Sequence, residues 1–559
     1  MKILNKFGFL IIISFIVVII LSFFIHFRID LTSDKRYSIT DQTIKLLKSV
    51  NQEIEIKVFL DGDLNPGFLR LKKSTIDLLD EMSVYSSNIK VSFENPSTAT
   101  SNDERLKKYA ELEAKGLTPT VIYERDKEGK SIQKVVFPWM QIRYNGKDAN
   151  VNLLKNIRGS SGEENLNISI ENLEFEITDG IRRVTNRNVS KIAFIEGHGE
   201  LNEAETYDIS KTLSRYFQID RGVLSTDATI LNEYKAIIIA KPTLPFTESD
   251  KFIVDQYIMN GGRVLWLIDA VRIARENLSK TGISPAMELD LNLSDQLFRY
   301  GIRINPVLLQ DVQSVTIPVN IAPANAEPQF EPSPWYFSPL LLTSTQHPVT
   351  KNVTEVKADF CSVIEFVGEE AKRNSSLLLA TSDNTHVFGT PSTIDLSVKP
   401  DSQDKMYFNM SFLPVAVSLE GEFESVFKNR QTPAGILKAL PFKEKVLNSR
   451  QIFVADGDII RNETSGIASD STTLALGYDR YMNQTFGNSE FIKNAVLYLT
   501  DEEGWLQLRS KSMKLRLLNK QLVNEQKTLW QIINVALPIL FLICFGVIYQ
   551  VFRKRKYTR

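Results

Sequence analysis

Between Lys191 and Asp269 short apolar runs alternate with amphipathic segments, and this stretch limits the possible folds more than any other. KIAFIEG (191–197) reads as a continuous apolar strand ending in glycine. His198-Gly199-Glu200 follows, then a helix with Ile209, Leu213, Tyr216 and Phe217 at helical spacing. QIDRGVL (218–224) and KAIIIA (235–240) read as strands. Thr247 and Asp250 have capping-box spacing ahead of a helix with Ile253, Val254, Tyr257 and Ile258. Gly261-Gly262 ends that helix, and RVLWLID (263–269) is the next strand. Strands that are apolar on both faces need cover on both faces. The fold class is therefore α/β, with a parallel sheet between layers of helices.

The two ends carry the longest apolar runs. Residues 7–27 are apolar apart from Ser14, Ser22, His26 and a glycine, and about 20 such residues span a bilayer. No small-x-small cleavage pattern follows, so the run reads as an uncleaved anchor rather than a signal peptide. Residues 530–552 form a second span, with Trp530 at its interfacial end and Asn534 and Pro538 inside it. Arg553, Lys554, Arg555, Lys556 and Arg559 follow, which places the C-terminus in the cytoplasm. The topology expected is two-pass in a cell inner membrane, with cytoplasmic ends (1–6 and 553–559) and the bulk of the chain periplasmic.

A chain of 559 residues exceeds one hydrophobic core. Residues 28–158 run β-α-β-α-β-β, an order that resembles a thioredoxin-like domain, with Pro119 where that fold keeps a cis-proline. It has no Cys-x-x-Cys, which excludes thiol redox chemistry. Residues 159–187 are expected as a polar linker and connecting helix, 188–503 as the α/β body with insertions, and 504–529 as a juxtamembrane segment. Residues 322–339, rich in proline, read as a loop exposing Trp335, Tyr336 and Phe337, either against its own domain or to a partner.

Charge and composition narrow the function. The formal net charge is −1, which argues against nucleic-acid binding. Two cysteines, Cys361 and Cys544, and four histidines in all exclude a four-cysteine zinc site. No Walker-type glycine loop occurs, so any ATP is bound by another chain. Glu196, His198, Glu200, Lys241 and Asp269 are expected near the carboxyl rim of the parallel sheet, where open α/β sheets hold ligands. Two readings stand there. In one the rim binds a ligand or partner. In the other Gly197 and Gly199 make a tight turn, Glu200 caps the next helix and His198 meets a backbone carbonyl.

RIDLTSDKRYSIT, FIEGHGE, GIRINPVLLQD, HPVTKNV, PVAVSLEGEFESVF, VADGDIIRN and FGNSEFIKNAVLYLTDEEGWLQLRSK, in this order, resemble the ABC-transporter auxiliary proteins. That family includes gliding-motility subunits of Bacteroidetes. The resemblance implies a subunit working with a permease and an ATPase, and a central domain similar to class I glutamine-amidotransferase-like (flavodoxin-like) folds. The place of that fold's nucleophilic cysteine corresponds to Asp269-Ala270, which offers no nucleophile. The expectation is thus a non-enzymatic, membrane-anchored auxiliary subunit with no cofactor and no metal. It would contact permease, ATPase and membrane lipid, with Trp530, Asn534 and Pro538 as packing residues. The alternative is a tethered carbohydrate-binding protein or hydrolase using Glu196, His198 and Glu200.

Overall fold

A computed structural model describes residue 14 and residues 38–99, 101–125, 131–157, 160–186, 189–322, 327–438, 441–465, 472–510 and 520–557. The first expected membrane span, apart from Ser14, and the stub before it lie outside the described residues. The chain divides into two compact units, Met1–Lys511 and Ser512–Arg559.

The first unit begins with helix α1 (Asp41–Lys48), strand β1 (Ile54–Val58) and helix α2 (Pro66–Tyr85). Asn65 caps α2 by accepting from Phe68 N–H, and proline at the helix start costs no hydrogen bond there. Then come β2 (Ile89–Phe93), α3 (Asn102–Ala114), β3 (Thr120–Arg125), β4 (Ser131–Val136), β5 (Trp139–Tyr144), β6 (Lys147–Asn152) and α4 (Gly162–Thr185). The sheet order is β2-β1-β5-β6, with β1 and β2 parallel and the other pairs antiparallel. β3 and β4 form a separate hairpin. Pro119 leads into that hairpin, and the cis bond among the described residues is Thr390-Pro391, so the expected cis-proline is not at Pro119. The proline at the entrance to the third sheet strand is Pro138.

Helix α4 starts at Gly162, inside the stretch read as linker, because Ser161 and Glu164 make a reciprocal capping box. Far from merely connecting, it buries residues on two sides. Leu173, Ile177 and Ile181 join the core of the N-terminal domain, while Phe175 belongs to the core of the α/β body. Gly180 lets α4 approach the sheet closely: a Cβ there would lie 2.5 Å from Val151 and 2.7 Å from Ile142.

The body carries β7 (Lys191–Glu196), α5 (Tyr207–Leu213), β8 (Gln218–Val223), β9 (Tyr234–Ala240), α6 (Glu248–Met259) and β10 (Val264–Leu267). After an inserted region come β11 (Ser314–Asn320), β12 (Phe330–Thr343), β13 (Ser375–Ala380), β14 (Pro414–Glu424), β15 (Lys445–Val454) and α7 (Asn488–Thr500). The large sheet runs β11-β12-β13-β14-β15-β10-β9-β7-β8. From β15 to β8 all pairs are parallel, and counted along the chain those five strands stand in the order 2-1-3-4-5. The rest is an antiparallel extension. Alternate side chains separate as the pleat requires. Ile192, Phe194, Leu265 and Leu267 pack with α5 and α7, while Ala193, Ile195, Val264 and Trp266 pack with α6.

The expected aromatic loop is different. Phe330–Thr343 is a long strand, with Tyr336 and Phe337 buried and Trp335 half-buried. Its outer part pairs with β11, and strand prolines are tolerated where a ladder has an open side. Trp335 lies 5.2 Å from Phe337, which lies 5.2 Å from Phe388, and Tyr336 meets Phe408. Phe337, with Trp335 and Phe388 against it, belongs to a small core shared with the inserted region.

The second unit contains α8 (Lys520–Tyr557), 38 residues long. Its segment Glu525–Arg555 is long and apolar enough to cross a membrane, and none of its apolar window is buried.

Candidate functional site

In open parallel sheets the ligand crevice lies beyond the carboxyl ends of the strands, where successive connections leave to opposite faces. Here that point lies between β7 and β9. His198 follows β7, Lys241 follows β9, Asp269 follows β10, and Asp456 and Asp458 follow β15. The protein bridges the crevice with its own loops. The His198 carbonyl accepts from the N–H groups of Thr243 and Leu244, both at 2.8 Å, and the Thr243 hydroxyl donates to the Gly199 carbonyl at 3.1 Å. Gly199 has φ +72°, and a Cβ there would lie 2.2 Å from Thr243 Oγ1.

The five rim residues expected from sequence fall into three separate groups. Glu196 turns away and pairs with Arg221 at 2.7 Å. His198 stacks on Phe246 with ring centroids 3.6 Å apart. Its Nδ1 lies 3.1 Å from Glu200 and its Nε2 lies 3.3 Å from Asp250. Burial opposes the charged ring, but hydrogen bonds to Asp250 and Glu200 outweigh it and push the pKa up to about 9. Glu200 also accepts from the His198 N–H at 2.6 Å. The α5 N-cap is Thr206, so Glu200 caps no helix, and the His198 ring meets carboxylates rather than a carbonyl.

The third group is a buried ion network. Lys241 pairs with Asp269 at 2.8 Å and also with Asp458. Arg275 reaches Asp458 at 2.7 Å and Asp359 at 3.3 Å. Burial opposes ionisation of Asp458, yet Arg275 and Lys241 hold its pKa well below the ordinary range. Asp456 is the opposite case. Burial, then the charges of Asp458, Asp269 and Asp359, push its pKa well up. Its oxygens accept the N–H groups of Asp359 and Asp458, each at 2.7 Å. Carboxylate atoms of Asp269, Asp456 and Asp458 lie within 4.8 Å of one another, a spacing that suits a cation. Here the ammonium of Lys241 and the guanidinium of Arg275 supply the positive charge.

Sequence reasoning missed Asp250, Asp458 and Arg275. Asp250 looked fully used as a helix cap, and it does accept from the Thr247 hydroxyl at 2.6 Å. Asp458 stood out only within VADGDIIRN, one of the stretches that carry the family resemblance. Arg275 gives no local signal, because packing of the inserted region brings it to the rim.

A second charged cluster joins the N-terminal domain to the body. Lys155 pairs with Glu176 of α4 at 2.7 Å and Glu490 of α7 at 3.4 Å, and Arg509 reaches Glu490 at 2.9 Å. Phe175 stacks on Trp505 at 5.1 Å beside them. On α8, Trp530, Asn534 and Pro538 are exposed, and the Trp530 indole donates to Gln526 at 3.1 Å.

A protein of Borreliella burgdorferi described as uncharacterized is 22% identical over 543 residues, covering 95% of this chain and 94% of its own. Among solved structures, the mmIFT52 N-terminal domain aligns over 56% of this chain and 98% of its own, at 12% identity and a TM-score of 0.31. Residues 33–143 match a domain of unknown function, DUF7088. Residues 190–495, from β7 into α7, match the family described as ABC-type uncharacterized transport system, and the chain belongs to that family.

Proposed function

We propose that the chain is a non-enzymatic, membrane-anchored auxiliary subunit of an ABC transporter, with its folded domains on the periplasmic side as a scaffold or coupling arm. The observation that carries this reading is α8: a continuous, exposed apolar helix ending in Arg553, Lys554 and Arg555, within a transport-system family. A second anchor at residues 7–27 gives a two-pass inner-membrane protein with both ends cytoplasmic. The rim chemistry supports a non-catalytic role. His198 is held between two carboxylates, and Lys241 and Arg275 between several, so none is poised as a free acid, base or nucleophile. Glu196 is committed to Arg221, which removes the third member of the hydrolase reading. The sheet order β2-β1-β5-β6 supports a thioredoxin-like N-terminal domain, and the 2-1-3-4-5 parallel core supports a flavodoxin-like or amidotransferase-like body.

Two helices make no translocation path, so α8 and its counterpart pack beside a permease, with Asn534 and Pro538 at the contact and Trp530 at the interface. ATP is bound by the partner ATPase, and movement of the permease repositions the outer body. Surface gliding, the process served by the relatives the sequence resembles, is part of this proposal. Co-purification tests it. The full-length chain is expected to bring down a permease and an ATPase from solubilised membranes, and a chain without residues 525–555 is expected to lose them. Undiminished association of the shortened chain refutes packing through α8.

A further inference from the structure

The N-terminal domain contains a cavity of about 980 Å³, lined by none of the rim residues. Thr120, Val121 and Ile122, three successive residues of β3, line it. Successive side chains of a strand point to opposite faces, and no residue of β4 lines the cavity, so it lies against the edge of β3 away from β4. The other edge of β3 is taken by β4 along its whole length, from Thr120 opposite Val136 to Arg125 opposite Ser131. The hairpin pairs with no third strand among the described residues. Alternate N–H and C=O groups of β3 therefore face the cavity with no strand to meet them, and an open edge of this kind is a template for another main chain.

The remaining walls favour the same class of ligand. Phe68, Trp139, Leu154 and Leu166 supply apolar surface. Several of the nearby polar side chains are already engaged. Asn65 caps Phe68 N–H at 2.9 Å, Asn152 accepts from Leu154 N–H at 3.0 Å, and the Trp139 indole donates to the Thr118 carbonyl at 2.7 Å. Arg70 pairs with Glu163 at 3.6 Å. A sugar or nucleotide needs several unengaged side-chain donors and acceptors. An extended peptide needs main-chain partners along one edge and apolar sockets at every second residue. At about 3.3 Å per residue, the three residues of β3 at the cavity match about 10 Å of an added strand, which can continue along the rest of β3 (Thr120–Arg125).

We propose that this cavity binds an extended segment of another polypeptide, added as a strand to the free edge of β3, with apolar residues at alternate positions. The proposal is independent of the transporter reading. The full-length chain in detergent micelles is titrated with a fluorescent hexapeptide of alternating valine and threonine, and hydrogen exchange is followed. Binding is expected to slow exchange of the cavity-facing amides among residues 120–122, those not turned to β4, by at least tenfold. The same peptide methylated at every amide nitrogen is expected to bind at least tenfold more weakly. Leu154→Ala, read alongside an unchanged melting temperature, is expected to weaken binding about fivefold by removing apolar wall. If Leu154→Ala alters the melting temperature, the exchange and methylation results decide. The proposal is overturned by no binding at about 1 mM peptide, the weakest affinity of interest, by protection confined to other residues, or by equal binding of the methylated peptide.

Discussion

Lys241 holds its ammonium 2.8 Å from the carboxylate of Asp269, and it does so from a left-handed backbone, φ +56°. That conformation is uncommon for a residue with a side chain, and surrounding structure must enforce it. Gly457 supplies part of that enclosure, since a Cβ at Gly457 would lie 2.5 Å from the Lys241 Cβ. Its N–H donates to Asp269 at 2.6 Å. The end of β9 is thereby joined to the turns after β10 and β15. Lys241→Met removes a cation from between two buried carboxylates, and loss of one partner of a buried pair costs about 3–5 kcal/mol. Urea unfolding of the full chain is expected to show a loss of that order. An unchanged midpoint with an unchanged slope refutes the structural role.

His198 gives stability a dependence on alkali. Its folded pKa, about 9, lies above the ordinary value of 6.5. The stabilisation is therefore complete below about pH 6.5 and is lost as pH rises through about 9. The melting temperature is expected to fall across that window in the native protein and to fall less in His198→Gln. His198→Ala is expected to destabilise by about 2 kcal/mol or more at pH 7 through its orphaned carboxylates. Lost function at an undiminished melting temperature would instead favour a binding role for the rim.

Glu490 is the acid-sensitive member of the junction between the N-terminal domain and the body. Burial opposes its charge, but Lys155, Lys493 and Arg509 depress its pKa well below the ordinary carboxyl value of 4.5. Its contribution is present above about pH 4.5 and is lost as pH falls toward the depressed value. Glu490→Gln takes the anion from Arg509 and leaves Lys155 with Glu176 alone. Hydrogen exchange along α4 is expected to rise about tenfold or more at pH 7, and the difference from the native protein is expected to shrink on acidification below about pH 4. Equal exchange in both proteins at neutral pH contradicts this account.

Phe337 tests the fate of the aromatic stretch. It is 5% exposed and packed against Trp335 and Phe388. Phe337→Ala is expected to lower stability by about 3–5 kcal/mol, as deletion of a buried ring does. Denaturant melting measures this directly. A variant of native stability that nevertheless loses a partner would restore the docking reading of Trp335, Tyr336 and Phe337.

The sequence by itself determined the parallel core, both faces of it, and the membrane-length helix near the C-terminus. Runs such as KAIIIA admit few alternatives, because each residue has to be hidden on one face or the other and the capping signals at Thr247 and Asp250 are local. Polar residues carry no such address. Glu196 and His198 are two positions apart yet serve different ion pairs, because a strand end and the turn after it project in different directions. Asp250, Asp458 and Arg275 met their partners only through contacts between 52 and 217 residues distant in sequence or through the placement of the inserted region. Only the tertiary structure decided that α4 would become a shared wall, that a proline-rich segment would pair as β12, and that Lys241 would meet Asp269 and Asp458 together. Burial of apolar surface is encoded residue by residue, whereas charge pairing depends on which distant segments that burial brings together.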